Sequence, residues 1–355
     1  MAVRPTSRNP AVPPGAPGRS RRHRRGEVAA GLALALVALA LAVVASLAIG
    51  ARSIPPGEVI EALLGRGSLS VVGIVGELRV NRTVLGLVCG AALGASGALM
   101  QAVTRNPIAD PGILGVNAGA ALGVVVGAVV TGGLGLTSTV WFALAGAGIA
   151  SAVILVLSAS PMAASSPVRL TLAGVALAAV LSGISQAIVV LDEEILDSYR
   201  YWQVGSLTAR PVDEVLGVVP LVVVGAVIAL LLLRGLDAIA LGDDSAIALG
   251  VHPGWVRAWS LVAVALLAGT ATALAGPIGF VGLIIPHLAR GLVGPSLRRV
   301  VPLSMVLAPA LLLVADVIGR VIGGGAETPA GVVTAFIGAP LLIGYLVFGR
   351  RVGAA

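Results

Sequence analysis

Lysine is absent from the 355 residues; all 23 basic side chains are arginine. A phosphate-binding P-loop needs a lysine to reach the phosphates, so this chain cannot by itself be a P-loop ATPase, and energy from ATP would have to arrive through a partner. Cysteine occurs once, as Cys89 inside an apolar run, which excludes an internal disulfide and reads as a small core residue. The three histidines, His23, His252 and His287, are far apart and lack metal-ligand spacing, so no metal or haem-ligand site is expected on the chain. Aromatic residues are 3% and charged residues 11% of the sequence. Acids are nearly missing from the apolar runs: Asp213 and Glu214 belong to the loop edge of one, and Asp316 alone sits inside one, four residues before Arg320, where an i,i+4 ion pair accounts for it. Ion-coupled carriers normally keep acids deep in their spans, so the sequence leans away from that class, and a membrane scaffold without transport is a more distant alternative.

What remains is apolar. The hydrophobic fraction is 57% and the mean hydropathy +1.04, outside the balance of soluble domains. Runs near 20 residues long match the bilayer core and predict ten spans, near 28–50, 83–102, 113–131, 139–158, 170–190, 212–233, 258–276, 278–293, 302–319 and 330–348. The reading is an all-α membrane protein: a basic disordered cytoplasmic tail over 1–27, one ten-helix domain over 28–350, and a short cytoplasmic end over 351–355. The first run is longer than a signal-peptide core and lacks a cleavage site, so it is taken as a retained helix. Gly276-Pro277 and Pro286 interrupt two runs, and such breaks must be shielded by protein or line a wet cavity. Glycine is abundant, with 48 residues, and small-residue runs such as Gly90–Gly97 allow helix backbones to approach closely.

The formal charge is +7, and seven arginines fall in the first 25 residues, which reads as a membrane-surface anchor rather than a nucleic-acid site. With the N-terminus inside, sixteen arginines lie on the cytoplasmic side and seven outside, placing both termini in the cytoplasm. The outer seven are Arg52, Arg66, Arg79, Arg82, Arg200, Arg210 and Arg320. In the inner loop over 236–257, Asp243 or Asp244 is expected to cap a short helix. Gly250 would close it in the left-handed conformation, and Pro253 would open the next helix. The resulting elbow suits either a tidy loop or a segment that fits a groove on another protein.

Several segments together resemble the FecCD-type permease subunits of ATP-binding-cassette importers for iron-siderophores, haem and vitamin B12. They are Arg79-Val80-Asn81-Arg82-Thr83, Gly97-Ala98-Leu99-Met100-Gln101, Arg105-Asn106-Pro107-Ile108-Ala109-Asp110-Pro111-Gly112, Leu172–Leu177, Ala240-Leu241-Gly242-Asp243 and Ala275–His287. The likeness runs from about Glu77 to Phe348; Val80-Asn81 departs from it, since the family commonly has Leu-Pro between the two arginines. The resemblance implies the ten-helix type II importer permease fold, paired with a second copy or close paralogue, and two ATPase subunits that hold ATP and Mg²⁺, with no cofactor on this chain. It implies that Arg79, Arg82 and Arg320 dock acids of an extracytoplasmic substrate-binding protein. Leu241, Gly242, Asp243, Ala246, Leu249 and Gly250 would form the element that couples to the ATPase, and Ser165, Ser166 and Pro167 would align with an inner gate. The cargo expected is a ferric siderophore, with haem or cobalamin as alternatives, crossing the bacterial cytoplasmic membrane by alternating access.

Overall fold

The computed structural model describes residues 21–132, 136–159, 167–208, 210–322 and 327–348, and among these every regular element is helical. Helix α1 spans Arg21–Ala48 and is followed by two short helices, α2 (Pro56–Leu63) and α3 (Leu69–Gly73). A π-helical turn at Ile74–Arg79 runs directly into α4, Val80–Thr104. Next come a 3₁₀ turn at Pro111–Leu114, α5 (Val116–Thr131), α6 (Leu136–Ala159), α7 (Pro167–Val189) and α8 (Glu193–Gln203). The chain continues with α9 (Val212–Ile239), α10 (Asp243–Ala248), α11 (Pro253–Ala275), α12 (Val281–Val293), α13 (Leu297–Ile322) and α14 (Ala330–Phe348).

Seven of the described helical segments are long and apolar enough to cross a membrane, and α5, α12 and α14 are shorter apolar helices. Together they occupy the ten segments predicted from the sequence. Helix α4 is the hub, packed against α9, α11, α12 and α13. It is mostly buried, as are α11 and α13, whereas α1, α7 and α9 turn most of their apolar residues outward, as helices bathed in lipid do. Helix contact relies on missing side chains. A Cβ on Gly94 would stand 2.4 Å from the Ser304 carbonyl oxygen, and one on Gly97 would stand 2.0 Å from that of Gly282. On the other side, a Cβ on Gly123 of α5 would stand 2.1 Å from the Phe142 carbonyl oxygen of α6.

Helix α1 begins at Arg21, inside the expected tail, and α9 runs on to Ile239, but the largest difference from expectation is at α4. The helical segment containing α4 begins at Leu69, not near 83, and runs continuously to Thr104. Hydropathy stops at the Arg79/Arg82 pair, but Val71 and Val75 before it are buried with Ile54, Val59 and Ala62, so an apolar core continues past the charges. Asn81, standing where the family has proline, keeps a backbone N–H, and its side-chain Nδ2 donates to the Glu77 carbonyl at 2.6 Å.

The two expected breaks are covered by protein. Gly276 adopts φ +74, ψ 178, a conformation reserved for glycine, and a Cβ there would collide with the Trp202 carbonyl oxygen at 2.2 Å. The Ser206 N–H donates to the Ala275 carbonyl at 2.8 Å and the Gly331 N–H to the Gly205 carbonyl at 2.9 Å, closing the end of α11 and the start of α14 onto one loop. In α12, Pro286 cannot donate to the Gly282 carbonyl one turn back. Gln101 Nε2 of α4 donates to that oxygen instead, at 3.2 Å, and to the Leu283 carbonyl at 3.1 Å.

Candidate functional site: the two ends of helix α4

At the end of the bundle that the arginine distribution assigns to the outside, the structure brings Arg79, Arg82 and Arg320 together. It does not leave them free. They are 5%, 7% and 5% exposed. Arg79 Nη1 donates to the Leu47 carbonyl at 2.7 Å and Nη2 to the Arg52 carbonyl. Arg320 Nη1 donates to the Ser46 carbonyl at 3.1 Å, and its Nε stands 3.0 Å from Asp316 Oδ2, the expected i,i+4 ion pair. Arg82 pairs with Glu327 and lies 3.8 Å from Asp316 Oδ1. Ser46 Oγ and Thr83 Oγ1 share a hydrogen bond of 2.8 Å beneath the guanidinium groups.

The reason for this arrangement lies in α1. The last four carbonyls of a helix have no partner inside it, and in a membrane each must find one. The Ile49 N–H takes Ala45 at 2.8 Å, the Ile54 N–H takes Ala48 at 2.9 Å, Arg320 takes Ser46 and Arg79 takes Leu47. Two of the three arginines therefore cap α1. Gly50 makes room for them: a Cβ there would meet Arg79 Nη2 at 3.2 Å. The cluster holds three guanidinium groups against two carboxylates, and the Glu327 side chain is 45% exposed. Nearby, Arg210 is buried with its Nε donating to the Leu274 carbonyl at 2.6 Å; burial pulls its pKa below the ordinary arginine value, and Glu214 at 3.5 Å opposes that shift.

At the opposite end, α9 and α11 are joined by the predicted elbow. Gly242 has φ +111 and Gly250 φ +77, both glycine conformations. The Gly250 N–H bonds the Ile247 carbonyl at 2.9 Å and the Val251 N–H bonds the Ala246 carbonyl at 2.9 Å, a Schellman closure, and Pro253 opens α11. The expected aspartate cap is not made: Gly242 is the N-cap residue, with no side-chain bond. Asp243 turns instead to stronger partners. Its carboxylate receives Arg105 from the left-handed end of α4, and Arg257 Nη2 of α11 at 2.9 and 3.0 Å. Two positive charges outbid a pair of neutral amides for one carboxylate.

Arg105 also donates to the Ile239 carbonyl at 2.7 Å, at the end of α9. Asp237 accepts from Ser296 Oγ at 2.9 Å and from the Leu297 N–H at 2.8 Å, fixing the start of α13. The elbow is thus tied to α4, α11 and α13. Ala246 is fully buried at its base, packed with Ile239 and Val256, while Leu241, Ile247 and Leu249 stand 71%, 59% and 65% exposed. The elbow is therefore a compact two-turn element with a polar root and an apolar crown, the form of segment that a groove on another protein can accept.

Arg105, Arg257, Asp237, Gln101 and Glu327 were not singled out as site residues from sequence; Arg105 and Gln101 sit in the quoted motifs, which was the available signal. The proposed gate residues Ser165 and Ser166 lie outside the described residues, and Pro167 is the first residue of α7. Among the described residues no three His, Cys, Asp or Glu side chains cluster as metal ligands. Asp110 accepts the Gly112 N–H at 2.8 Å and caps the 3₁₀ turn; burial raises its pKa above the usual carboxylate value, partly offset by that bond.

Residues 38–348 match the model of the FecCD transport family. The chain is 46% identical over 321 residues to the ferric enterobactin transport system permease protein FepD of Escherichia coli, covering 90% of this chain and 95% of that one. It is 39% identical to the Fe(3+)-citrate import system permease protein YfmD of Bacillus subtilis, over 78% of this chain and 82% of the relative. Among solved structures, the inward-facing conformation of a transporter described as of the metal-chelate ABC type superposes with a TM-score of 0.78 at 29% identity, covering 90% of this chain and 98% of that one.

Proposed function

Since this chain belongs to the FecCD transport family and is a non-enzymatic membrane permease subunit of an ATP-binding-cassette importer, we propose that its cargo is a ferric siderophore. Family membership carries with it ATPase and substrate-binding partners and pairing of permeases. The numbers are part of the proposal: two permease copies or close paralogues, two ATPase subunits holding ATP and Mg²⁺, and one extracytoplasmic binding protein. No cofactor is assigned to this chain. Likeness to ferric enterobactin and ferric citrate permeases supports iron-chelate cargo over haem or cobalamin.

The observation that carries the mechanism is that both candidate sites are anchored on α4. Arg82 lies in its first turn, with Arg79 just before it, and Arg105 caps its end on the elbow. From Arg79 to Arg105 the helical rise is about 39 Å at 1.5 Å per residue. In this reading a binding protein engages acids with the outer arginine cluster, the elbow seats in an ATPase groove, and nucleotide-driven closure of the ATPases moves α4, α9 and α11 together through Asp243. Substrate passes by alternating access, with Ser165, Ser166 and Pro167 as the inner gate.

The test is uptake into vesicles holding the permease, its ATPase and its binding protein, with labelled ferric siderophore, haem and cobalamin in parallel. ATP-dependent accumulation of the ferric siderophore is expected. Uptake of haem or cobalamin alone would overturn the cargo assignment, and uptake driven by an ion gradient without ATP would overturn the mechanism.

A further inference from the structure

Helices α9 and α11 run antiparallel and meet closely where α9 lacks a side chain. A Cβ on Gly225 would stand 2.9 Å from Leu267 Cγ, and one on Gly235 would stand 2.8 Å from Val256 Cγ2. The second contact sets Gly235 and Val256 at one depth, near the ends of the two helices that the elbow joins. One residue back along each helix lie Arg234 and Trp255. Each step back turns by about 100°, and because the helices are antiparallel both turns lead to the same outward side. Trp259, three residues past Val256, comes round to that side as well. The exposures agree: Arg234 is exposed, and Trp255 and Trp259 are 68% and 45% exposed.

This pair is half of the four tryptophans in a chain with 3% aromatic residues, and it stands one turn apart on one face. Toward the middle of the membrane, on the same side of α9, Val227, Leu230 and Leu231 are exposed. From Val227 to Arg234 this aliphatic wall is about 10 Å long. Helix α9 carries no acid between Glu214 and Asp237, and α11 carries none. Arg257 of α11 is turned to Asp243, and Asp237 is turned to α13, where it accepts Ser296 Oγ and the Leu297 N–H. Arg234 is therefore the charge that these two helices turn outward, and it makes no hydrogen bond or ion pair with a described residue. An unbroken aliphatic wall that ends in two indole rings and a guanidinium group follows the profile of a lipid from acyl chain to phosphate.

We propose that Arg234, Trp255 and Trp259 seat the headgroup of one anionic phospholipid of the inner leaflet. Arg234 meets the phosphate, the indole rings lie at headgroup level, and an acyl chain runs along Leu230, Leu231 and Val227. The seat stands on both helices joined by the elbow, so the lipid fixes how far the elbow projects from the membrane.

The test titrates the purified permease–ATPase complex in mild detergent with phosphatidylglycerol or phosphatidylcholine and counts retained lipids by native mass spectrometry. One phosphatidylglycerol per permease, held about fivefold tighter than phosphatidylcholine, is expected from one arginine near an anionic headgroup. Arg234→Gln should erase that preference, and Arg234→Lys, which supplies the same charge, should keep most of it. Trp255→Ala combined with Trp259→Ala should weaken retention of both lipids and leave the ATPase bound. Glycerol phosphate, which has the head without the tail, should not displace the lipid. Equal retention of the two lipids by the unaltered protein, an unchanged preference in Arg234→Gln, or displacement by glycerol phosphate would each overturn the assignment. So would release of the ATPase by the double tryptophan variant, which would make this face a protein contact, or unchanged lipid retention by it.

Discussion

Gln101 is the side chain on which the broken helix α12 depends, and replacing it with leucine gives a sharp test of that reasoning. Pro286 leaves the Gly282 carbonyl without its helical donor, and Gln101 Nε2 supplies one at 3.2 Å. The same nitrogen donates to Leu283, whose oxygen is also 3.2 Å from His287 Nδ1, while Gln101 Oε1 accepts Arg290 Nη2 at 2.7 Å. Leucine matches glutamine in helix propensity and roughly in size, so the loss is polar. Gly282 would be left as an unsatisfied buried carbonyl, costing about 1–3 kcal/mol, and Arg290 would lose a charge-assisted bond of similar size. Because Arg290 is only half-buried and water can replace part of its loss, the sum expected is about 2–4 kcal/mol.

The assay is equilibrium unfolding of the purified protein in detergent, in a cycle with Pro286→Ala. Alanine returns an N–H to the Gly282 carbonyl, so Gln101→Leu should cost about 1 kcal/mol less in that background. Gln101→Glu separates the two halves of the interaction, since a carboxylate improves the acceptor for Arg290 but offers two carbonyl oxygens no donor. It should be no more stable than Gln101→Leu. A loss below about 0.5 kcal/mol for Gln101→Leu, or additivity with Pro286→Ala, would refute the view that this glutamine repairs the proline break.

Three further outcomes are expected. Asp243→Asn releases Arg105 and Arg257 from a half-exposed site, so stability should fall by less than about 1 kcal/mol while siderophore uptake drops several-fold and the ATP hydrolysed per molecule carried rises, measured in the same vesicles. Gly97→Ala puts a Cβ 2.0 Å from a backbone oxygen of α12, where neither side can yield without separating the helices; it should destabilise by at least about 3 kcal/mol, and Gly148→Ala, with open space around it, should be neutral in the same unfolding assay. Glu327→Gln removes the chain's own carboxylate from Arg82 and should tighten docking of the binding protein, read as a lower Kd by surface plasmon resonance, while Arg82→Gln should weaken it.

What the sequence disclosed and what it hid follow from the range of the forces involved. The ten apolar segments were legible because a bilayer imposes a length on every span, and Gly250 and Pro253 because left-handed backbone and a helix start are decided within a few residues. Asp243 was misread for the same local reason. Its neighbours offer it unpaired amides, and a cap is the best bond in sight; Arg105 is 138 residues away in sequence and arrives only when α4 packs against α9. Leu69–Gly73 reads as part of a loop because two arginines interrupt hydropathy, and only the fold shows that both are turned inward, Arg79 onto the end of α1 and Arg82 onto Asp316 and Glu327. Gln101 gave no separate signal, since the carbonyl it serves is orphaned by a proline on another helix.

In the proposed reading the outer arginines serve structure and docking at once, and the geometry divides the work among them. Arg79 and Arg320 hold the last free carbonyls of α1, so a glutamate at position 79 would both reverse a charge and uncap a helix inside the membrane. Loss of uptake in that variant would not separate docking from folding. Arg82 is different: it caps no carbonyl, and its partner Glu327 is the cluster's exposed acid. With three guanidinium groups and two carboxylates, a carboxylate from a docking protein can take Glu327's place on Arg82, and the displaced glutamate can go into water. Exchange at that position costs little desolvation, because the arginine is already out of water and the departing acid is already half in it. Of the three residues the family likeness nominates for docking, Arg82 is therefore the one placed to change partners, and Arg79 and Arg320 are the frame that keeps it in position.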